Sequence, residues 1–423
     1  MRVKAIPAWF QARASGEWLQ GNAITLLENG GAFFPALLET IDAAQQEILL
    51  QTYIFAADAT GRRVADALAR AAKRGVSVRV LVDGFGGLPF VRELMAGLSA
   101  AGVETLIFRR ESRLLSLRRQ RLRRLHRKVT VIDGRTAFVG GINIIGDFDA
   151  EAPKHPRYDY AVRIEGPLLE PILSSSRRLW RQVTWFSLRH RVRGQNGAMQ
   201  TPLSRLWERS RGGEQNPPWS VPPGALIAAA GDMRAAFLIR DNLRHRADIE
   251  NAYLDAIARA HEEIVLANAY FFPGHRFRHA LLAAAARGVK ITLLLQGVAD
   301  HPMMQYATRA LYPLFLENGI RLFEYQRSVL HAKVAIIDRH WATVGSSNID
   351  TFSLMLAREA NVVVLDRGFA TTLAASLASA IRDGAVELRR EDWARQPILR
   401  RLLCWLAYQA VRLAAGVAGV RDN

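Results

Sequence analysis

Two short segments of the chain combine the residue types that phosphate chemistry uses. A histidine, a lysine two residues later and an aspartate five residues after that occur twice, at His126, Lys128 and Asp133 and at His331, Lys333 and Asp338. Alternate side chains of a strand share a face, so each histidine should project beside its lysine. With 10 histidines in 423 residues, chance placement predicts on the order of 0.006 such matches. Two matches therefore indicate one shared chemical role.

Small and amide residues follow each motif at similar spacing. They are Gly140, Gly141 and Asn143 in the first half, and Gly345, Ser346 and Asn348 in the second. Small residues let backbone approach an anion, and asparagine adds a directional hydrogen bond. Two facing copies could attack a phosphodiester with one histidine and protonate the departing oxygen with the other. We expect the lysines, Asn143, Ser346 and Asn348 to hold the phosphate, with no metal and no cofactor.

The chain repeats itself over longer stretches around these motifs. Residues 67–84 resemble residues 280–297, and residues 47–55 resemble residues 263–272. Continuous apolar runs predict strands buried on both faces, and alanine-rich segments predict helices. Short strands alternating with helices predict right-handed crossovers. The predicted fold class is therefore α/β, with two fused α/β/α sandwich repeats, pseudo-two-fold symmetry and one active site between them.

The repeats divide the chain into four parts. Residues 1–193 form the N-terminal repeat and residues 225–390 the C-terminal repeat, each with one histidine motif. Residues 194–224 are rich in glycine and proline and are either a linker or an ordered lid. Residues 391–423 form an amphipathic segment, which could lie in a membrane interface or pack on the domain.

The composition favours a polyanionic partner. The formal net charge is +18, and such an excess attracts both nucleic acid and anionic lipid. Residues 109–128 interleave arginines with leucines, as a contact for lipid headgroups or as a solvated loop.

Cys404 is the only cysteine, which excludes an intramolecular disulfide. Because no uncharged apolar stretch reaches the length of a membrane span, we expect a soluble or peripheral protein. Residues 1–28 contain no uninterrupted apolar segment, so we expect no cleaved secretion signal.

The paired motifs resemble the HKD motifs of the phospholipase D superfamily, and the resemblance covers both halves. Residues 240–274 and 158–167 are similar to the bacterial cardiolipin synthase B branch of that superfamily. This resemblance implies phospholipase D-like repeats, a phosphatidyl-histidine intermediate and catalysis without metal. It also implies that phosphatidylglycerol is both donor and acceptor, with cardiolipin and glycerol as products. One departure is Gly141, where the family often has serine.

The resemblance also implies roles for the site residues. His126 and His331 become nucleophile and acid/base, and we favour His126 as the nucleophile. The two motif aspartates belong to the catalytic set, although they should organise the site more than touch substrate. A downstream acid usually orients each histidine in this family, and Asp159 and Glu359 stand at such positions. Each imidazole should therefore gain a carboxylate partner that fixes its tautomer.

The implied partners are phosphatidylglycerol and the membrane surface, with no nucleic acid expected. We predict a peripheral enzyme on the cytoplasmic side of the bacterial inner membrane, of open oligomeric state. A hydrolytic phospholipase D or a phosphatidylserine synthase is the main alternative, because water and alcohols compete for the same intermediate. A nuclease is disfavoured, since superfamily nucleases are typically short single-motif chains. Two intact motifs argue against an inactive binding module.

Overall fold

A continuous mixed sheet connects the two halves of the chain. The computed structural model describes residues 16–109, 124–148, 155–192, 227–241, 245–298, 301–350 and 357–417. Within these residues, 16 strands form one sheet and two strands form a small second sheet. The predicted linker or lid at 194–224 lies outside the described residues. Residues 110–123, the larger part of the arginine-rich run, also lie outside them. The boundaries of the four predicted parts remain predictions.

The elements follow one another in the same general order in each half. The first half contains β1 (Leu19–Glu28), α1 (Asn29–Ala43), β2 (Glu47–Thr52), α2 (Ala59–Lys73), β3 (Ser77–Asp83), a π-helical turn (Phe90–Leu94), α3 (Met95–Ala100), β4 (Glu104–Phe108), β5 (Arg124–Leu125), β6 (Lys128–Ile132), β7 (Thr136–Gly140), β8 (Tyr160–Glu165) and α4 (Leu169–Val192). The second half contains β9 (Met233–Arg240), α5 (Asp248–Arg259), β10 (Glu263–Asn268), β11 (Phe271–Phe272), α6 (His275–Ala286), β12 (Lys290–Gln296), α7 (Pro302–Arg309), α8 (Tyr312–Glu317), β13 (Arg321–Tyr325), β14 (Lys333–Ile337), β15 (Trp341–Gly345), β16 (Ile349–Asp350), β17 (Ala357–Leu365), α9 (Arg367–Gly384), β18 (Ala385–Leu388), α10 (Arg390–Ala394) and α11 (Ile398–Val417).

The strand order is symmetric about the junction between β1 and β9. Outward from it, one half reads β1-β8-β7-β6-β2-β3-β4 and the other β9-β17-β15-β14-β10-β12-β13-β18. The junction strands run antiparallel, with Leu19 opposite Ala235. β2, β3 and β4 are parallel, as are β10, β12 and β13, so helical crossovers connect them. This order confirms the predicted α/β fold with two fused repeats and pseudo-two-fold symmetry.

Local sequence explains where the elements begin and end. All six residues of β2 are buried, as expected for a strand covered on both faces. Asp58 caps the start of α2, because its side chain accepts a hydrogen bond from the Gly61 amide at 2.7 Å. The helix ends shortly before Gly75, which has φ +93°. Asp366 begins α9 in the same way and accepts from the Phe369 amide at 2.7 Å.

A shared apolar core joins the repeats. One buried cluster contains Val129 and Tyr160 from the first repeat and Val362 from the second. The Tyr160 hydroxyl lies 2.6 Å from Ser376 Oγ, where α9 of the second repeat packs on the first. Separate clusters fill the opposite face of the sheet in each repeat. The repeats thus pack against one another, which fixes the ends of β6 and β14 relative to each other.

Candidate active site

Each motif histidine lies where its repeat pairs with the other repeat. The His126 amide donates to the Arg358 carbonyl at 2.9 Å, because β5 pairs in parallel with β17. The His331 amide donates to the Tyr158 carbonyl at 2.8 Å, beside the bridge between Tyr158 and Leu330. In both cases the residue after the accepting carbonyl is acidic. Backbone pairing therefore brings each histidine to an acid of the opposite repeat.

The imidazoles form crossed pairs with those acids. His126 Nδ1 lies 3.0 Å from Glu359 Oε1, and His331 Nδ1 lies 2.6 Å from Asp159 Oδ2. A carboxylate that accepts the Nδ1 proton leaves the Nε2 lone pair available for chemistry. The sequence indicated both acids but left open which histidine each would meet. The structure places both contacts between repeats.

Burial and nearby cations act on both imidazoles. Burial lowers the pKa of His126, and the charge of Glu359 opposes this effect. The pKa of His331 is lowered well below its usual value by burial, with Lys333 and Lys128 acting in the same direction. Both histidines are therefore neutral near pH 7 when no phosphate is bound. Protonation of His126 would lower the pKa of His331 further, so the two half-sites are electrostatically coupled.

The two acids differ in their surroundings. Burial raises the pKa of Asp159 to about 6, although Lys333 opposes this effect. Burial also acts to raise the pKa of Glu359, but its pairing with His126 and the charge of Arg240 outweigh burial, and this pKa is lowered. Glu359 is thus the more firmly ionised acid, and the two half-sites are chemically unequal.

The motif lysines are buried beside the histidines. Lys128 Nζ donates to the His126 carbonyl at 2.7 Å, and Lys333 Nζ donates to the His331 carbonyl. Lys333 Nζ also lies 3.9 Å from Asp159 Oδ2. Burial lowers the pKa of Lys128 to about 7, with Glu359 opposing the shift. A bound phosphate anion would favour the charged ammonium, so these side chains are suited to anion binding.

The predicted phosphate-binding residues fall into two groups. Asn143 Oδ1 accepts from the Ile54 amide at 3.1 Å, which orients the side-chain NH2 group away from that contact. The buried Asn348 Oδ1 has no hydrogen-bond partner among the described residues. Ser346 differs from both, because its hydroxyl donates to Glu359 Oε2 and accepts from the Ala360 amide at 3.1 Å. In this structure the Ser346 hydroxyl supports the carboxylate of Glu359, and its predicted contact with phosphate stays a prediction.

The departure at Gly141 has a steric cause. A Cβ added there would lie 2.3 Å from Asp159 Oδ1, far inside van der Waals contact. In the second repeat, the equivalent Ser346 instead contacts the longer side chain of Glu359. The first repeat thus pairs glycine with aspartate, and the second pairs serine with glutamate.

The motif aspartates lie away from the histidines. Asp133 accepts hydrogen bonds from three consecutive amides, those of Gln45, Gln46 and Glu47, at 2.8, 2.8 and 2.9 Å. Asp338 accepts from the amides of residues 261, 262 and 263 at 2.9, 2.8 and 3.0 Å. Each follows the far end of its motif strand, about 16 Å along from the lysine at ~3.3 Å per residue. They anchor the start of β2 and of β10, and their place in the catalytic set stays a prediction.

Two contacts near His126 were not predicted from the sequence. Arg240 is buried, and its NH2 atom lies 3.8 Å from Glu359 Oε1. The ring of Tyr53 lies 5.0 Å from the His126 ring and 5.6 Å from Lys128 Nζ. Arg240 is a charged residue at the end of the apolar part of β9, and this position was the one signal in the sequence that could have indicated a role for it. Tyr53 gave none, because an aromatic residue after a strand is commonly a core residue.

The duplicated sheet with two facing HxKxxxxD motifs is the arrangement of the phospholipase D superfamily. Consistent with this, the family model described as cardiolipin synthase, PLD-like domain, matches residues 37–147 and 253–381. The chain belongs to this phospholipase D-like cardiolipin synthase family, as the sequence predicted. Within the described ranges, no group of three or more histidine, cysteine, aspartate or glutamate side chains is arranged to hold a metal ion.

Named relatives cover most of the chain. Cardiolipin synthase B of Salmonella typhimurium is 42% identical over 84% of this chain and 79% of its own length. Cardiolipin synthase A of Pseudomonas aeruginosa is 32% identical over 88% of this chain and 70% of its own length. Among solved structures, phosphatidylserine synthase of Haemophilus influenzae superposes with a TM-score of 0.66 over 94% of both chains at 15% identity. That last likeness shows a shared fold.

Proposed function

We propose that this protein is a cardiolipin synthase that transfers a phosphatidyl group from one phosphatidylglycerol to another and releases glycerol. Family membership and the names of the relatives support the substrate class. The observation that carries the proposal is the pair of crossed histidine–carboxylate contacts, at 3.0 and 2.6 Å. They provide two oriented imidazoles in one site, as a two-step transfer through a covalent intermediate requires.

In the first half-reaction, His126 Nε2 attacks phosphorus as the bond to the glycerol oxygen breaks. The departing oxygen takes a proton from His331, which must therefore be protonated in the complex. The negative charge of the bound phosphodiester favours that protonation over the neutral form of the empty site. The products of this step are glycerol and a phosphatidyl group on His126.

In the second half-reaction, a second phosphatidylglycerol occupies the place that glycerol left. His331 now removes the proton from its hydroxyl group, and the oxygen attacks phosphorus as the bond to His126 breaks. Cardiolipin forms, and both imidazoles return to their starting states. Throughout, Lys128, Lys333, Asn143 and Asn348 hold the equatorial oxygens while charge redistributes.

We assign the nucleophile to His126 because of its acid partner. A phosphorylated imidazole that keeps its Nδ1 proton carries a positive charge, and a firmly ionised carboxylate stabilises it. Glu359 is held in that state by the nearby Arg240 and by the Ser346 hydroxyl. His331, with the more easily protonated Asp159, is better suited to exchanging a proton.

The substrate places the enzyme at a phospholipid surface. Among the described residues, no helix has the length and apolarity needed to cross a bilayer. We propose peripheral association with the cytoplasmic side of the bacterial inner membrane, with phosphatidylglycerol as the lipid partner. Exclusion of water from the site would favour transfer to an alcohol over hydrolysis.

The proposal is tested with purified protein in detergent micelles that contain phosphatidylglycerol and a chelator. Cardiolipin and glycerol should appear in equal amounts, and a His126→Ala, His331→Ala double variant should form neither. Phosphatidic acid as the sole lipid product would show a hydrolase instead. Cleavage of DNA with untouched lipid would refute the lipid assignment.

A further inference from the structure

The outward face of the C-terminal helix α11 is apolar. Its inward face is buried, with Cys404 and Val411 at 1% and 0% exposure, and it packs on α7. The outward side chains of Leu402, Trp405 and Leu413 are 47%, 53% and 71% exposed. A helix on an ordinary protein surface turns polar side chains outward. This helix therefore has a largely apolar outer face, which the described residues leave exposed.

Other exposed apolar side chains lie at the same end of the sheet as the histidines. Phe85 follows β3, Phe148 follows β7 and Met303 follows β12, and all three are more than half exposed. β7 pairs with β6, and β3 and β12 pair with β2 and β10, the neighbours of β6 and β14. The pairing registers place the ends of all three strands at the histidine end. Asp83, at the end of β3, accepts from the amide of Leu125, next to His126, at 2.8 Å.

The helix α4 adds a tryptophan at this end. Ser175, in the second turn of the helix, accepts a hydrogen bond from Arg127, which adjoins His126. Further on, Gln182 accepts one from Arg358, which also lies at the site. Trp185 lies almost one turn beyond Gln182 and is half exposed. The helix thus carries Trp185 past the level of the catalytic histidines.

Arginines accompany these apolar side chains. The Arg124 guanidinium lies 5.1 Å from the centre of the Phe85 ring. In α11, the exposed Arg400, Arg401 and Arg412 stand among the outward leucines. Neighbouring apolar, tryptophan and arginine side chains suit the boundary between acyl chains and anionic headgroups. A purely apolar protein partner would bury these charges without supplying the anionic groups that lipid headgroups offer.

We propose that the outward face of α11, together with Phe85, Phe148, Trp185 and Met303, docks on an anionic phospholipid bilayer. This inference rests on the proposed function, because a lipid substrate requires the mouth of the site to open toward the bilayer. In that orientation the apolar side chains enter the interface around the site and the arginines contact the headgroups. A diacyl lipid could then reach His126 without crossing water.

The first test measures vesicle binding by co-sedimentation. The variant carries Leu402→Gln and Trp405→Gln, and its control carries Ala43→Gln and Ala286→Gln at the other end of the sheet. With vesicles of phosphatidylcholine and phosphatidylglycerol, the variant should bind at least about tenfold more weakly, and the control should bind as the parent does. Equal loss in both, or no loss in the variant, would overturn the docking surface, as would equal parental binding to vesicles of phosphatidylcholine alone.

Turnover of dispersed substrate separates this inference from the proposed function. Short-chain phosphatidylglycerol below its micelle concentration needs no bilayer, so the variant should convert it at the parental rate. If the parent converts no phosphatidylglycerol in any form, the proposed function fails while the binding result stands. If the variant loses turnover of the short-chain substrate, the substitutions disturb the site and the docking inference is overturned.

A labelling experiment keeps the apolar face except at the labelled position. In a Cys404→Ser background, a single cysteine is placed at Leu413 or, as the control, at Ala43, and coupled to an environment-sensitive dye. Phosphatidylglycerol vesicles should shift the emission to shorter wavelength at position 413 only. Unchanged emission at 413, or the same shift at both positions, would contradict the docking surface.

Discussion

Glu359 of the second repeat lies 3.0 Å from Nδ1 of His126 in the first repeat. The reverse contact, between Asp159 and His331, spans 2.6 Å. Neither half therefore holds an oriented imidazole by itself. Fusion of the two repeats in one chain keeps both contacts together, because the shared core sets the register of the strands that carry them.

The first prediction concerns these crossed acids. Glu359→Gln should lower kcat by on the order of a hundredfold or more, because an amide can hold the wrong tautomer and does not stabilise a cationic imidazole. KM should change little, since the lysines and asparagines remain. Steady-state kinetics with phosphatidylglycerol measure both constants. Glu39→Gln, on an exposed face of α1, is the control, and a kcat equal to that of this control would refute the role of Glu359.

The second prediction concerns Arg240. Arg240→Met removes a cation 3.8 Å from Glu359, so the pKa of that carboxyl should rise. As the pH is lowered, Glu359 should then become protonated at a higher pH than in the parent protein. We expect kcat to fall roughly tenfold, with the acid limb of the pH profile moved upward. Arg240→Lys should restore part of both effects. A fall in kcat with an unmoved acid limb would indicate a role in packing alone.

The third prediction is the pH dependence of kcat/KM, which reports groups of the free enzyme. Asp159, with a pKa of about 6, is protonated below that pH and no longer supports the His331 imidazolium. Lys128, with a pKa of about 7, loses its charge above that pH and holds phosphate less well. The profile should therefore peak between these values. Asp159→Asn should move the acid limb down to the lower pH at which Glu359 is protonated, and Lys128→Arg should remove the alkaline limb. Limbs that stay unmoved in these variants would contradict both assignments.

The fourth prediction separates the motif aspartates from the chemistry. Asp133→Ala leaves three backbone amides without their acceptor, so the free energy of unfolding should fall by about 1–3 kcal/mol. Asp338→Ala should act similarly. Urea denaturation measures the loss, and Asp42→Ala, which breaks an exposed ion pair with Arg70, should cost less than about 1 kcal/mol. Activity per folded molecule should be retained, and its loss at full stability would return these residues to catalysis.

The sequence predicted the family and the α/β fold, because the duplicated motifs and apolar runs are local patterns. It indicated that Asp159 and Glu359 serve the histidines, but not that each acid crosses to the other repeat. That crossing depends on the pairing of β5 with β17 and of Tyr158 with Leu330, which are contacts between residues over 150 positions apart. Local pattern carries no information about such a register.

The contact between Ser346 and Glu359 could not be predicted for a related reason. A serine after a motif strand is equally suited to phosphate or to a carboxylate, and only the approach of Glu359 decides between them. The distance of the motif aspartates from the site, in contrast, follows from the rise of a strand and was available from the sequence. Arg240 was missed because a single charge at the end of an apolar strand usually faces solvent.

The most direct test of the mechanism is to trap the covalent intermediate. Enzyme mixed with phosphatidylglycerol labelled in its phosphate is quenched within one turnover and digested, and the modified peptide is identified by mass spectrometry. Substitution of His126 by alanine should abolish the label. We predict a phosphatidyl group on His126, and label on His331, or on neither histidine, would contradict the account.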